Sequence, residues 1–238
     1  LFKKGINVLY MTMFETITYQ GKSLTCVRGD RHVFVDLNFS VSSGEMLILT
    51  GQNGSGKSSL LRVMAGLITQ RKGALMLNAI SCKLDPVLHR SNIVYAGHQA
   101  GLKPLMTLRE NLLHYTHMIR GTSLDDGEIE HACEALYLSH LIDEQLRYFS
   151  QGQIHRAALL KLMMSRRPIW LMDEPTVGLD ADSRTALACI MQQHLDNKGI
   201  IIAATHDPLS IEGAALLLDT FQSSKQVTDH WLTDEDAA

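Results

Sequence analysis

The chain is short of cysteine, short of excess charge and without a long apolar run, and each shortage removes a class of protein. Its four cysteines, Cys26, Cys82, Cys133 and Cys189, lie far apart and form no C-x-x-C pair. That spacing fits reduced thiols in a cytosolic protein better than a disulfide framework or a zinc site. Lysine and arginine number 22 against 25 aspartates and glutamates, a net charge of −3. No broad basic surface for nucleic acid follows from such a balance. The longest apolar stretches, such as 200–204 and 214–218, fall well short of the roughly 20 residues that a bilayer-crossing helix needs. Repeats, low-complexity blocks and Pro/Ser-rich linkers are also missing. The sequence therefore reads as one compact unit that does not span a membrane but is free to dock on a protein that does.

What is present is an ordinary globular balance, 45% apolar and 20% charged over 238 residues, enough for a well-filled core. Short apolar runs alternate with helical patterns in the C-terminal half, the mark of a parallel sheet covered by helices. Met46 to Thr50, Ile93 to Gly97, Ile169 to Met172, Ile200 to Thr205 and Ala214 to Asp219 are its expected strands. Lys57 to Leu67 carries apolar residues at helical spacing. Val33 to Val41 and Gly73 to Leu77 instead alternate as in an antiparallel layer. Between Met106 and Tyr148 the pattern turns helical and polar, opening on a capping-box pair, Thr107 and Glu110. Residues 103–148 are thus expected to form a helical subdomain inserted into a single α/β domain spanning 13–224. Residues 1–12 are expected to be a disordered leader: Lys3 and Lys4 give the outline of a signal peptide, but no cleavage site follows. Residues 225–238 read as a solvated acidic tail.

The stretch from Gly51 through Gln52, Asn53, Gly54, Ser55 and Gly56 to Lys57 and Ser58, with Ser59 next, matches G-x-x-x-x-G-K-[ST] between a predicted strand and a predicted helix. The glycines let the backbone curl so that its N–H groups face phosphate oxygens, and the helix adds its positive N-terminal field. Lys57 is expected to reach the β- and γ-phosphates, and the Ser58 hydroxyl to ligate Mg²⁺. A chance Gly-rich turn is the bland alternative, and the flanking strand and helix argue against it. The chain is expected to bind a nucleoside triphosphate. The apolar strand at Ile169 then delivers Asp173 and Glu174 at its C-terminal end, where open α/β sheets bind ligands. Alone, two acids at a strand end are often only solvated. Beside a phosphate loop, Asp173 is placed to hold Mg²⁺ and Glu174 to polarise the attacking water. Other features carry less. His114 and His117 have an i, i+3 spacing without a carboxylate or cysteine to complete a metal set, and Leu159, Leu160, Leu162, Met163 and Met164 read as core packing.

Together these motifs resemble an ABC-type ATPase, and the resemblance runs from about Met13 to Ser224. Phe149-Ser150-Gln151-Gly152-Gln153 resembles the Leu-Ser-Gly-Gly-Gln signature, with a helix expected over Arg156 to Lys161. Gln99 resembles the glutamine-loop residue, a further Mg²⁺ contact; Leu179-Asp180 resembles the D-loop, and His206 the switch histidine. A lone histidine at a strand end is more often structural; its place after Glu174, one strand further on, favours the functional role. Two departures stand out. Gln151 replaces the first signature glycine and Phe149 the leading leucine, which predicts slower turnover. At the position where an aromatic usually stacks on adenine the chain has Arg28, which is either a stacking guanidinium or a surface arginine in a turn.

The resemblance implies a homodimer in which the signature of one copy caps ATP held by the other, an integral membrane subunit as partner, and no nucleic acid. Within the family, Ile93-Val-Tyr-Ala-Gly-His98-Gln99-Ala-Gly101 looks like the ATP-binding subfamily of the cytochrome c biogenesis (haem exporter) complexes. That implies a membrane partner of the CcmB type, a place on the cytoplasmic face of the bacterial inner membrane, and ATP hydrolysis linked to haem export or release of a haem-loaded chaperone. No direct haem ligation is expected, since C-x-x-C-H is absent. An ABC subunit for another small substrate, or a soluble ABC protein acting on ribosomes or DNA, are the rival readings. The latter usually carries paired ATPase units or coiled coils, and this sequence has neither.

Overall fold

The computed structural model describes residues 13–97, 101–122, 125–207 and 209–221. The expected leader, the acidic tail and Gln99 lie outside them. Along the chain come strands β1 (Thr18–Arg28), β2 (Arg31–Ser42) and β3 (Met46–Thr50), then helix α1 (Lys57–Met64). Strands β4 (Lys72–Leu77) and β5 (Ile80–Ser81), helix α2 (Pro86–Asn92) and strand β6 (Ile93–Ala96) follow. Next are helices α3 (Leu108–Arg120), α4 (Asp126–Ala135) and α5 (Gln151–Ser165). The last elements are β7 (Ile169–Asp173), α6 (Ala181–Asp196), β8 (Ile200–Ala204) and β9 (Ala214–Leu217).

Two sheets result. β2-β1-β4-β5 is antiparallel, and β6-β7-β8-β3-β9 is parallel. Every residue of β7 and β8 is buried, because central parallel strands are covered on both faces and must be apolar throughout. Their side chains still divide with period two. Ile169, Leu171, Ile200 and Ile202 face a core shared with α1 and the antiparallel sheet. Trp170, Met172, Ile201 and Ala203 face a second core with α3 to α6. Leu159, Leu160, Leu162, Met163 and Met164 of α5 lie in that second core, as their composition predicts.

Beyond shifts of one or two residues at strand ends, two boundaries and one strand differ from the sequence expectation. Helix α1 stops at Met64 rather than Leu67. Gly66 takes a left-handed φ of 69°, its N–H donates to the Val63 carbonyl and that of Leu67 to the Arg62 carbonyl, a Schellman termination. After β9 the chain turns into a 3-10 helix over Leu218–Phe221, so Asp219 is not in a strand. Strand β1, which no regular alternation marks, pairs with both β2 and β4; register shifts at Gly21/Leu24 and beyond break its period. The segment 103–148 holds α3, α4 and two 3-10 turns. Its first helix opens on the Thr107–Glu110 capping box with both reciprocal hydrogen bonds formed.

Candidate active site

The phosphate loop leaves β3 at Gly51 and enters α1 at Lys57. Gly56 is the N-cap, with φ 103° and no side chain capping the helix, so the first N–H groups of α1 are left for a ligand. A Cβ at Gly56 would also stand 2.5 Å from Val33 Cγ1; the loop lies against β2 too closely for any side chain there. Lys57 is buried, and its amine donates to the Gly51 carbonyl at 2.8 Å and the Gln52 carbonyl at 3.1 Å. Gln52 N–H is itself held by the Asp219 carboxylate, at 3.2 Å from each oxygen. Asp219 pins the start of the loop from 167 residues away, a role that sequence reasoning missed. Its only local signal is a carboxylate directly after the apolar run 214–218.

An open cavity of about 470 Å³ lies over the loop, lined by Asn53, Gly54, Gly56, Lys57, Ser58 and Ser59 on one side. Glu174 and His206 close the other side, with Val33 at the wall. Asp173 ends β7 with 3% exposure. One of its oxygens, Oδ1, accepts from Ser58 Oγ at 3.0 Å and the other, Oδ2, from the Tyr95 hydroxyl at 3.2 Å. Ser58 and Asp173 therefore offer two adjacent hard oxygens at the cavity edge, the donor chemistry that a small divalent cation takes. Burial, then the Asp173 charge, push the Tyr95 phenol up from its ordinary range, with the Arg62 guanidinium beside it pulling the other way. Tyr95 is therefore a neutral donor.

Glu174 follows in a left-handed conformation, φ 53°, which costs a non-glycine residue and is held here by its N–H donating to the Ala204 carbonyl at 2.8 Å. The twist turns its side chain out of the strand toward β8. There Oε2 accepts from His206 N–H at 3.4 Å, and Oε1 lies 3.6 Å from His206 Nε2. A carboxylate and an imidazole thus meet beside the phosphate loop, a pairing with the chemistry to orient a water.

The remaining predicted residues lie elsewhere. Ser150, Gln151, Gly152 and Gln153 do not line the cavity; they open α5 in a capping box, Ser150 Oγ accepting from Gln153 N–H at 3.3 Å and Gln153 Oε1 from Ser150 N–H at 2.7 Å. A Cβ at Gly152 would stand 3.0 Å from the Gly178 carbonyl, so the signature turn rests on the segment leading to Asp180. The Asp180 carboxylate caps α6, accepting from Ser183 N–H at 2.8 Å. Hydrogen bonds from the Ser183 hydroxyl and N–H hold it below the usual carboxylate range. His155 of α5, which sequence reasoning passed over, donates from Nε2 to the Pro175 carbonyl at 2.9 Å, tying the signature helix to the turn after Glu174. Arg28 ends β1 at the hairpin tip opposite Arg31 and does not line the cavity; Val33 does. His114 pairs with Lys103 at 2.9 Å, and no group of three or more His, Cys, Asp or Glu residues suited to a metal occurs among the described residues. Nor is any described helix long and apolar enough to cross a membrane.

Residues 34–177 match the model of the ABC transporter family. A cytochrome c biogenesis ATP-binding export protein CcmA from Brucella abortus is 40% identical over 195 residues, 82% of this chain and 88% of that one. Its counterpart from Rhodopseudomonas palustris is 41% identical over 191 residues, covering 80% and 92%. Among solved structures, the ATP-binding subunit of an ABC transporter superposes with a TM-score of 0.70 at 26% identity, covering 79% of each chain. A Pyrococcus furiosus chain reaches 0.76 at 22% identity over 87% of this chain and all of its own, a likeness of fold alone. With its glycine-rich loop, Asp173, Glu174 and His206 gathered at one sheet end, the chain belongs to the ABC transporter family and is an ATP-binding ATPase subunit coupled to transport.

Proposed function

We propose that this ATPase subunit serves c-type cytochrome biogenesis, powering haem export or the release of a haem-loaded chaperone from the cytoplasmic face of a bacterial inner membrane. The observation that carries this reading is the 40% identity to CcmA proteins along most of both chains, added to the Gly97-His-Gln-Ala-Gly101 segment. The partner is an integral subunit of the CcmB type, docked beside residues 103–148.

Chemically, the triphosphate lies over the loop, where the free N–H groups of α1 and the Lys57 amine bind its charge. Lys57 now donates to two loop carbonyls and exchanges these neutral acceptors for charged ones. Mg²⁺, held by Ser58 and Asp173, with Gln99 as a further contact, would neutralise charge on the β- and γ-phosphates. Glu174 accepts hydrogen-bonding from water and takes its proton as the water oxygen attacks the γ-phosphorus and the bond to the β-phosphate oxygen breaks. His206 keeps Glu174 aimed. In one chain the signature turn stands apart from the cavity, so each copy carries two half-sites; a homodimer closes both, with Ser150 and Gly152 of one copy capping the other's triphosphate. Asp180 and Arg28 are assigned to the dimer contact and the base.

Affinity purification from membranes tests the assignment, with c-type cytochrome assembly scored in a strain lacking the gene. A CcmB-type subunit should co-purify and holocytochromes should be lost; normal cytochromes together with a different membrane partner contradict it.

A further inference from the structure

Strand β6 pairs with β7 in parallel register, with Tyr95 opposite Leu171. Residues 171 and 173 share a face of β7, so Tyr95 lies on the same face as Asp173 and one step back along the sheet. Its hydroxyl spans that step and donates to Asp173 Oδ2 at 3.2 Å. Ser58 holds the other oxygen at 3.0 Å, so the carboxylate is fixed from both sides while only the Ser58 side opens on the cavity. The tyrosine ring packs against the core beneath α1, and its position is limited on the outer side by Gly97. A Cβ at Gly97 would stand 2.6 Å from the Tyr95 hydroxyl oxygen and within 2.8 Å of two ring carbons. Gly97 is not in the left-handed region, so its backbone would accept alanine. The missing side chain is needed for space alone.

We propose that Tyr95 is a positioning residue for Asp173, and that position 97 is glycine because any side chain there would push the phenol off the carboxylate. Tyr95 never touches the nucleotide; it acts by holding one carboxylate oxygen so that the other faces the metal. The inference rests on the reading of Asp173 as the Mg²⁺-holding residue.

The test uses the full chain with a non-hydrolysable ATP analogue and reads thermal stabilisation as Mg²⁺ is raised. Tyr95→Phe, which removes a single oxygen, should raise the half-saturating Mg²⁺ about threefold to tenfold, the scale of one lost outer hydrogen bond at a metal site. Analogue binding in EDTA should stay unchanged. Gly97→Ala should give the same shift while Tyr95 is present, and none beyond that of Tyr95→Ala when the two are combined. An unchanged Mg²⁺ midpoint in Tyr95→Phe overturns the proposal, as does a Gly97→Ala effect that persists without the ring. Should Gly97→Ala fail to fold, Tyr95→Phe alone decides. Asp173→Asn separates the two levels: if it too leaves the Mg²⁺ midpoint unmoved, the metal reading fails; if it raises the midpoint while Tyr95→Phe does not, only this inference fails.

Discussion

At the phosphate loop, Lys57 bonds its own loop's carbonyls, but the other anchoring hydrogen bonds come from groups distant in sequence. Ser58 reaches Asp173 across 115 positions, Tyr95 reaches it across 78, and Asp219 reaches Gln52 across 167. In the signature turn the same job is done within four residues, Ser150 and Gln153 satisfying each other. The first arrangement is a tertiary site that exists only when the parallel sheet is complete. The second is a local cap presented to its surroundings, with Gln151 exposed at the first turn. One half of the machinery is therefore finished inside the chain, and in the proposed homodimer the other half meets a second copy.

The comparison breaks first at Lys57. Lys57→Ala should weaken ATP binding by roughly 10–100-fold, the cost of losing a charge-assisted contact, measured by equilibrium titration with the folded monomer. Retained affinity would mean that the loop does not hold the phosphates. The signature half should respond differently. Gly152→Ala places a methyl 3.0 Å from the Gly178 carbonyl and should lower ATP turnover about tenfold with binding to the monomer intact, whereas Gln151→Ala at the neighbouring exposed position stays within about twofold. Equal losses in both would show that crowding of Gly152 against the Gly178 carbonyl is not what sets the effect.

A smaller effect separates stability from catalysis. His194 stacks on Trp170 at 3.8 Å and bonds the Pro168 carbonyl at 3.0 Å; burial lowers its pKa to about 3. The folded state resists a proton that the unfolded chain takes up below about 6.5, so stability is full above that pH and declines as pH falls toward 3. The loss reaches on the order of a few kcal/mol at the acid end. Thermal melting of the wild type should therefore drop between pH 6.5 and 4, and His194→Gln should flatten that limb. Parallel curves would show that this histidine does not set the acid limit.

The same contrast explains what was legible in sequence. The loop from Gly51 to Ser58 and the Thr107–Glu110 capping box are short-range patterns, each interpretable where it stands, and the Asp173–Glu174 pair becomes interpretable beside the loop. Tyr95, Asp219 and His155 were not legible, because each acts on a carboxylate, an N–H or a carbonyl brought near only by sheet register and helix packing. Strand β1 was hidden by its bulges, and the end of α1 by a glycine that the apolar period runs past. Arg28, expected at the base from alignment with the family pattern, sits at a hairpin tip, while Val33 lies against the loop.

The central claim is that two copies close on ATP and reopen when it is cleaved. Sedimentation of Glu174→Gln with saturating MgATP tests it most directly, with hydrolysis assayed alongside. The account predicts turnover lowered about 10²–10⁴-fold, as for loss of a general base, and a stable nucleotide-bound dimer that falls apart when Mg²⁺ is chelated. A variant that binds MgATP yet sediments as a monomer, even with its membrane partner supplied, would contradict it.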